Sequence, residues 1–411
     1  MKKILVIGKN WPEPNTTAAG YRMIQLLEVF QEDGYEIHFA CAATKSEYSV
    51  DLNSLQIIER PILLNDTSFN TYVKELLPEL VLFDRFMTEE QYGWRVRENS
   101  PGSLHILDTE DLHFLRKARE EAFKKNQPVD LFGEAAMREI AAIYRCDLSI
   151  IISSVEHQLL LNSFHIPESK LVYVPFLYRS TKLKKTGELP PTYEERSNFI
   201  MIGNSLHAPN YDAILYMKNT IWPLIRKKLP TVEIHIYGAY QNEKIHQLDN
   251  RAQGFLIKGY AQKAIDTLQQ YRILVAPLRF GAGLKGKIFD AMQSSTPVAM
   301  STIASEGMFK DSLVYGFVED DVRKYAQECV DLYKTERDWD RISKTNINLL
   351  QENYFYPAFA KALLLKISRI VLNQSLPVDQ NTFFDRMLNY HSYSKYKYLS
   401  KWIHLKTNKS D

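Results

Sequence analysis

Short apolar runs alternate with longer amphipathic segments along nearly the whole chain, and this alternation restricts the fold more than any other feature. KILVIG (3–8), EIHFACA (36–42), LVLFD (80–84), HILDT (105–109), LSIIISS (148–154) and KLVYVP (170–175) have the length and apolar content of buried strands. Between the first two, GYRMIQLLEVFQEDG (20–34) spaces its apolar residues as a helix does and stops at a glycine. Strands separated by helices need crossover connections, so the units are βαβ and the sheet is mostly parallel. The series pauses at 178–198, a polar linker with Pro190-Pro191 and no apolar period. It restarts with the strands NFIMIGN (198–204), VEIHIYG (232–238), GFLIKGY (254–260), RILVAPL (272–278) and PVAMS (297–301). Their helices are 209–230, with a break near Pro223, then 285–295 and 322–335. The expected fold class is α/β: two doubly wound, Rossmann-like domains, 1–185 and 186–352, facing each other across a cleft. A C-terminal helix and tail, 353–411, follow. In such sheets ligands bind at the carboxyl ends of the strands.

Composition narrows the classes. The chain has 411 residues, 45% hydrophobic and 24% charged, as in an ordinary globular protein. Its formal net charge is only +2, so nothing points to a nucleic-acid partner. Cys41, Cys146 and Cys329 are far apart and form no C-x-x-C pair. They support neither a zinc site nor a disulfide framework and suit a reducing cytosol. The first apolar run, about five residues ending at Gly8, is too short for a signal peptide and reads as a strand. No run approaches the roughly 20 apolar residues of a membrane span. A cytoplasmic protein, at most peripheral to the inner face of a membrane, is expected.

Residues 279–292, RFGAGLKGKIFDAM, fit two phosphate-binding patterns at once. Gly281, Gly283 and Gly286 spell G-x-G-x-x-G, while Gly281, Gly286 and Lys287 spell most of a Walker A loop. The Walker reading fails at Ile288, where a magnesium-binding Ser or Thr is needed. The dinucleotide reading fails on position, because the loop lies late in the chain and Glu306 falls beyond a strand tip. What survives is strand, glycine loop and helix, an arrangement that offers close backbone approach and free N–H groups to an anion. Lys285 and Lys287 oppose the dipole of a helix start, so they cost stability unless an anion sits there. A glycine turn with two solvated lysines is the plainer alternative.

The longer stretch PLRFGAGLKGKIFDAMQSSTPVAMSTIASEGM (277–308) resembles the donor segment of GT-B-fold glycosyltransferases, in particular family 4 and its G-x-G-x-K-x-K branch. FIMIGNSLHAPNYDAILYMKNTIWPLI (199–225) is similar to the start of that family's C-terminal domain. The resemblance implies GT-B architecture and a nucleotide-diphosphate sugar bound by the C-terminal domain. It also implies a glycan or glycolipid acceptor bound by the N-terminal domain, retention of configuration, and no metal or other cofactor. By position, Gly281 and Gly283 approach the diphosphate and Lys285 and Lys287 neutralise it, which of the two touches it being open. Asp290 falls where the family binds the ribose hydroxyls. Ala282 stands where the first acid of the family's E-x7-E motif falls and cannot serve. Glu306, before Gly307, is a candidate for a sugar-hydroxyl contact, and Gly203, Asn204 and His207 line the same cleft.

The N-terminal half is read from its own residues. The loop after the first strand makes Thr16, Thr17, Gly20 and Arg22 candidates for acceptor or diphosphate contact, a turn capped by Thr17 being the alternative. LFDRF puts Asp84 and Arg85 at one strand tip, and ILDTEDLHFLRKAR puts Asp108, Glu110, Asp111 and His113 at the next. Asp108 and His113 are the catalytic candidates, and no general base is assigned between them. From Tyr390 onward the tail mixes aromatics with five lysines and no acid before Asp411. A solvated final helix is one reading, and contact of 390–409 with an anionic membrane face is the other. Two further functions stay open on the same fold: a nucleotide-sugar 2-epimerase, and a non-catalytic sugar-nucleotide scaffold suggested by Ala282.

Overall fold

The computed structural model describes residues 2–180, 190–310, 313–373 and 380–407. The middle of the expected linker, with the boundary at 185/186, and the last residues of the expected tail lie outside the described residues. The first sheet has the order β3-β2-β1-β4-β5-β6-β7. Its strands are β1 (Lys2–Gly8), β2 (Tyr35–Cys41), β3 (Ile58–Pro61), β4 (Leu80–Asp84), β5 (Leu104–Asp108), β6 (Leu148–Ile151) and β7 (Leu171–Tyr173). The second sheet runs β10-β9-β8-β11-β12-β13. It contains β8 (Ser197–Ile202), β9 (Ile234–Tyr237), β10 (Phe255–Gly259), β11 (Tyr271–Ala276), β12 (Val298–Met300) and β13 (Gly316–Val318). The central pairs are parallel, Ile4 lying opposite both Ile37 and Leu80.

Continuous apolar runs are explained by burial on both faces. In β1, Ile4 and Val6 pack with Met23, Leu26 and Phe30 on one side of the sheet, while Leu5 and Ile7 pack with Phe69, Val73 and Phe86 on the other. Two strands escape the apolar signal. β3 (IERP) and β13 (GFV) are short edge strands with little burial, so they carry little of it. The break near Pro223 is a π-helical turn, Met217–Ile221, between the helices Ala208–Tyr216 and Trp222–Lys228. Proline lacks the N–H that a straight helix needs there.

The chain's end belongs to the N-terminal domain rather than to a separate tail. Tyr178 and Phe355 form a bridge where the chain crosses between domains in each direction, and Tyr356 N donates to Tyr178 O at 3.0 Å. The returning helix Tyr356–Asn373 buries Tyr356, Ala360, Leu363 and Ile367 in the first domain's core. The terminal helix Gln380–Thr407 packs on the helices Phe86–Asn99 and Glu134–Arg145. There Tyr393 Oη donates to Glu89 at 3.2 Å, Tyr396 Oη donates to Glu90 at 2.5 Å, and Arg95 donates to Ser400 Oγ at 2.7 Å. The opposite face leaves Phe383, Met387, Tyr390, Tyr398, Trp402 and Leu405 exposed.

Candidate active site

Strand order reverses at β1/β4 in one sheet and at β8/β11 in the other, and ligands of doubly wound sheets sit at such points. The glycine loop joins β11 to the helix Gly286–Gln293 at the second of these, with Lys285 at the N-cap position. The two lysines diverge. Lys287 Nζ donates to Asn210 Oδ1 at 2.7 Å and lies 3.2 Å from where a Cβ on Gly203 would stand. Gly203, Asn210 and Lys287 therefore meet at the β8 tip. Lys285 is buried and folds back on its own loop, its Nζ donating to Gly283 O at 2.7 Å. Burial pushes both ammonium groups down to about 8, with Glu306 and Glu156 opposing the effect at Lys285. Burial alone pushes Asp290 up to about 7. Asn204 shapes the neighbouring loop, its side chain accepting from Leu206 N and its carbonyl from Asn210 Nδ2, both at 2.9 Å.

The two domains are closed on this loop. Arg119 donates to both oxygens of Glu306, at 2.7 and 2.8 Å, and to Gly281 O at 2.9 Å. Glu156 accepts from Gly283 N at 2.7 Å. Arg116 reaches His207 Nε2 at 3.2 Å, and because a guanidinium only donates, His207 is the Nδ1–H tautomer at that contact. Desolvation where the domains meet, with the Arg116 guanidinium adding to it, lowers the pKa of the His207 imidazole, an effect that the exposure of the residue moderates. The glycines are explained first by this closure. A Cβ on Gly283 would lie 2.7 Å from Asp111 Cβ, one on Gly286 2.7 Å from Ala18 Cβ, and one on Gly307 2.6 Å from Ser153 Oγ.

On the N-terminal side the candidate residues have partners within their own domain. Thr17 caps the helix Ala18–Glu32 by accepting from Gly20 N at 3.0 Å, and Thr16 donates to Glu13 at 2.5 Å. A Cβ on Gly20 would stand 2.5 Å from the Glu13 backbone. These three residues hold their own turn. Arg22, 1% exposed, donates to Asp108 at 3.0 and 3.3 Å and to the carbonyls of Val174 and Pro175. Asp108, level with Asp84 at the end of β5, is equally buried, and its carboxylate is held by the Arg22 guanidinium.

The remaining tip residues stay together. Asp84 accepts from Lys9 N at 3.0 Å and from Arg85 at 3.4 Å, and Arg85 faces Glu110 at 3.7 Å. Arg85 and Glu110 both hold left-handed backbone, with φ of 70° and 61°, a strain that persists only where the surroundings impose it. His113 opens the helix His113–Lys125 with its Nδ1 3.2 Å from Asp111 O, which can only accept. The proton is therefore on Nδ1 and Nε2 offers a lone pair. Burial, with Arg116 and Arg85 adding to it, pushes the ring down to about 3, which leaves it neutral. A neutral His113 suits it to accept a hydroxyl's hydrogen bond rather than to hold a proton.

Residues 196–335 match a family model described as Glycosyl transferases group 1. The chain is 22% identical over 394 residues to the "uncharacterized 44.6 kDa protein in cps region" of Klebsiella pneumoniae, covering 86% of this chain and 97% of the relative. A mutant of S. aureus TarM in complex with fondaparinux, alpha-GlcNAc-glycerol and UDP superposes with a TM-score of 0.66 at 10% identity, over 90% of this chain and all (100%) of that one. Sucrose-phosphate synthase from Thermosynechococcus elongatus gives 0.66 at 13% identity, over 91% and 100%. Anabaena HepE in complex with UDP and glucose gives 0.66 at 10%, over 90% and 100%. At these identities the likeness is one of fold. Residues 196–335 thus carry the likeness to glycosyl transferases group 1, in a chain with the two-domain fold of the GT-B glycosyltransferases.

Proposed function

We propose that the protein transfers a sugar from a nucleotide-diphosphate donor to an acceptor hydroxyl, with retention and without a metal, in cell-surface polysaccharide or glycolipid assembly. The observation that carries this reading is the lysine pair at the start of Gly286–Gln293, beside the β8/β11 reversal. Two ammonium groups at a helix start, one buried and one half-buried, are unfavourable alone and become favourable around a diphosphate. There they would stabilise charge on the departing group, the work a metal does elsewhere. Retention follows the family resembled. The cell-surface polysaccharide role is supported by the relative from a cps region, and the donor class by the structural neighbours in complex with UDP. Among the described residues no helix is long and apolar enough to cross a membrane. The exposed apolar face of Gln380–Thr407, with Lys395 and Lys401 beside it, supports peripheral contact with an anionic leaflet on the cytosolic side.

The test is a donor panel of UDP-, dTDP- and GDP-sugars. Slow release of one nucleoside diphosphate, accelerated by an acceptor glycan, is the expected result. Isomerised donor without release would replace the reading by an epimerase, and binding without either by a scaffold.

A further inference from the structure

One carboxyl of the N-terminal domain reaches directly into the donor loop. Glu156 lies in the first turn of the helix Ser154–Ser163, which begins just past the tip of β6, and it is completely buried. Its Oε1 accepts from Gly283 N at 2.7 Å in the C-terminal domain and from Leu112 N at 3.3 Å in its own. Leu112 is the N-cap of the helix that carries His113, Arg116 and Arg119. Spacing alone would make Ser153-x-x-Glu156 a capping box. Yet Ser153 makes no side-chain cap bond here, and the carboxyl turns to the other domain instead. Its Oε2 is buried without a partner, so the group is not placed for its own satisfaction.

Gly283 itself needs external support. Its φ of 64° is a conformation other residues avoid, and its carbonyl accepts from Lys285 Nζ at 2.7 Å. A continuous line of hydrogen bonds therefore runs from Leu112 through Glu156 and Gly283 to the ammonium of Lys285. We propose that Glu156 is a positioning residue for transfer: on domain closure it captures the Gly283 amide and so sets Lys285 against the donor diphosphate. The diphosphate clause rests on the donor-site reading above, and the capture of Gly283 does not.

The experiment compares Glu156→Ala and Glu156→Gln in the full chain, by hydrogen exchange and by donor hydrolysis. In Glu156→Ala, amides of 281–285 are expected to exchange at least about tenfold faster while β11 is unchanged. Hydrolysis is expected to lose at least about tenfold in kcat with donor KM altered less than about threefold. Glu156→Gln keeps an acceptor oxygen and is expected to stay near wild type in both. Unchanged loop protection in Glu156→Ala would overturn the proposal, as would a Gln variant as impaired as the Ala variant. Should Glu156→Ala not fold, Glu156→Asp withdraws the acceptor by one methylene, and a fully protected loop there would again overturn it. If the wild type turns over no donor, the functional reading falls while the exchange comparison still decides the role of Glu156.

Discussion

Arg119 and Glu306 clasp the two domains together through a fork of hydrogen bonds, 2.7 and 2.8 Å long, while the same guanidinium holds Gly281 O at 2.9 Å. Both side chains are about four-fifths buried, at 18% and 20% exposure, so solvent screens the pair only in part. A lysine cannot reproduce the planar fork or the third bond. Arg119→Ala is expected to lower unfolding stability by about 1–3 kcal/mol, since it strands a carboxylate and a carbonyl. Arg119→Lys should recover part of the stability yet remain well below wild type in donor turnover. Thermal unfolding and hydrolysis rates check both. Wild-type turnover in the lysine variant would mean that charge alone, not the fork, matters.

Gly286 offers a cleaner test of the closed arrangement. A Cβ there would stand 2.7 Å from Ala18 Cβ, across the domain boundary, and the backbone at Gly286 is not in the left-handed region. Gly286→Ala is therefore expected to fold normally and to close poorly, cutting turnover by about tenfold or more. Adding Ala18→Gly removes the opposing methyl and should restore most of the loss. A double-mutant cycle reads the coupling between the two positions. Additive losses, with no rescue, would show that this contact is not made during turnover.

Much of this fold is legible in the residues themselves. Apolar runs and glycine loops are local signals, so the strands, the two sheets and the RFGAGLKGKIFDAM loop could be read directly. Pairings between distant residues could not. Nothing local tells that Arg22 is spent on Asp108, 86 positions away, or that Glu156 meets Gly283, 127 positions away. Polar residues after buried strands read alike in the sequence, yet in the fold Asp111 lies against Gly283 of the other domain while Asp108 is buried on Arg22. The terminal helix was half legible. Its aromatics and lysines were seen, but not that Tyr393, Tyr396 and Ser400 face the fold.

The lysine pair fixes a pH dependence. Lys285 and Lys287 sit near 8 against an ordinary 10.5, so between those values the folded protein binds fewer protons than the unfolded chain. Their burial therefore costs stability fully below about pH 8, and that cost is relieved as pH rises toward about 10.5. Asp290, raised from 3.8 to about 7, loses its favourable protonated state as pH rises through that window. A bound diphosphate favours charged lysines and reverses their shift. Nucleotide binding should then take up protons near pH 8 to 9 and weaken by about fivefold or more above it. Calorimetry in two buffers of different ionisation enthalpy measures the uptake. In a Lys285→Ala, Lys287→Ala double variant the affinity should fall at least about tenfold and the pH dependence flatten, as two charge-assisted contacts are lost. Affinity within twofold of wild type would end the donor-site reading.

The terminal helix carries the remaining prediction, and its packing decides how the test must be built. Deleting it would uncover Glu89, Glu90 and Arg95, which it pairs or covers, so a loss of lipid binding after deletion would not separate contact from damage. The outward face can be changed without touching those partners. Tyr398 is 68% and Trp402 57% exposed, and an amphipathic ring suits the headgroup boundary. Each lysine near an anionic leaflet contributes about 1 kcal/mol. Replacing Tyr398 and Trp402 by Ala, with Lys395 and Lys401 changed to Gln, should leave thermal unfolding unchanged. Co-sedimentation with phosphatidylserine vesicles should fall several-fold, and salt should weaken wild-type binding, because the Debye length shrinks to about 3 Å at 1 M. Sedimentation that stays the same in the fourfold variant would show that this face, although apolar and bordered by lysines, does not meet lipid.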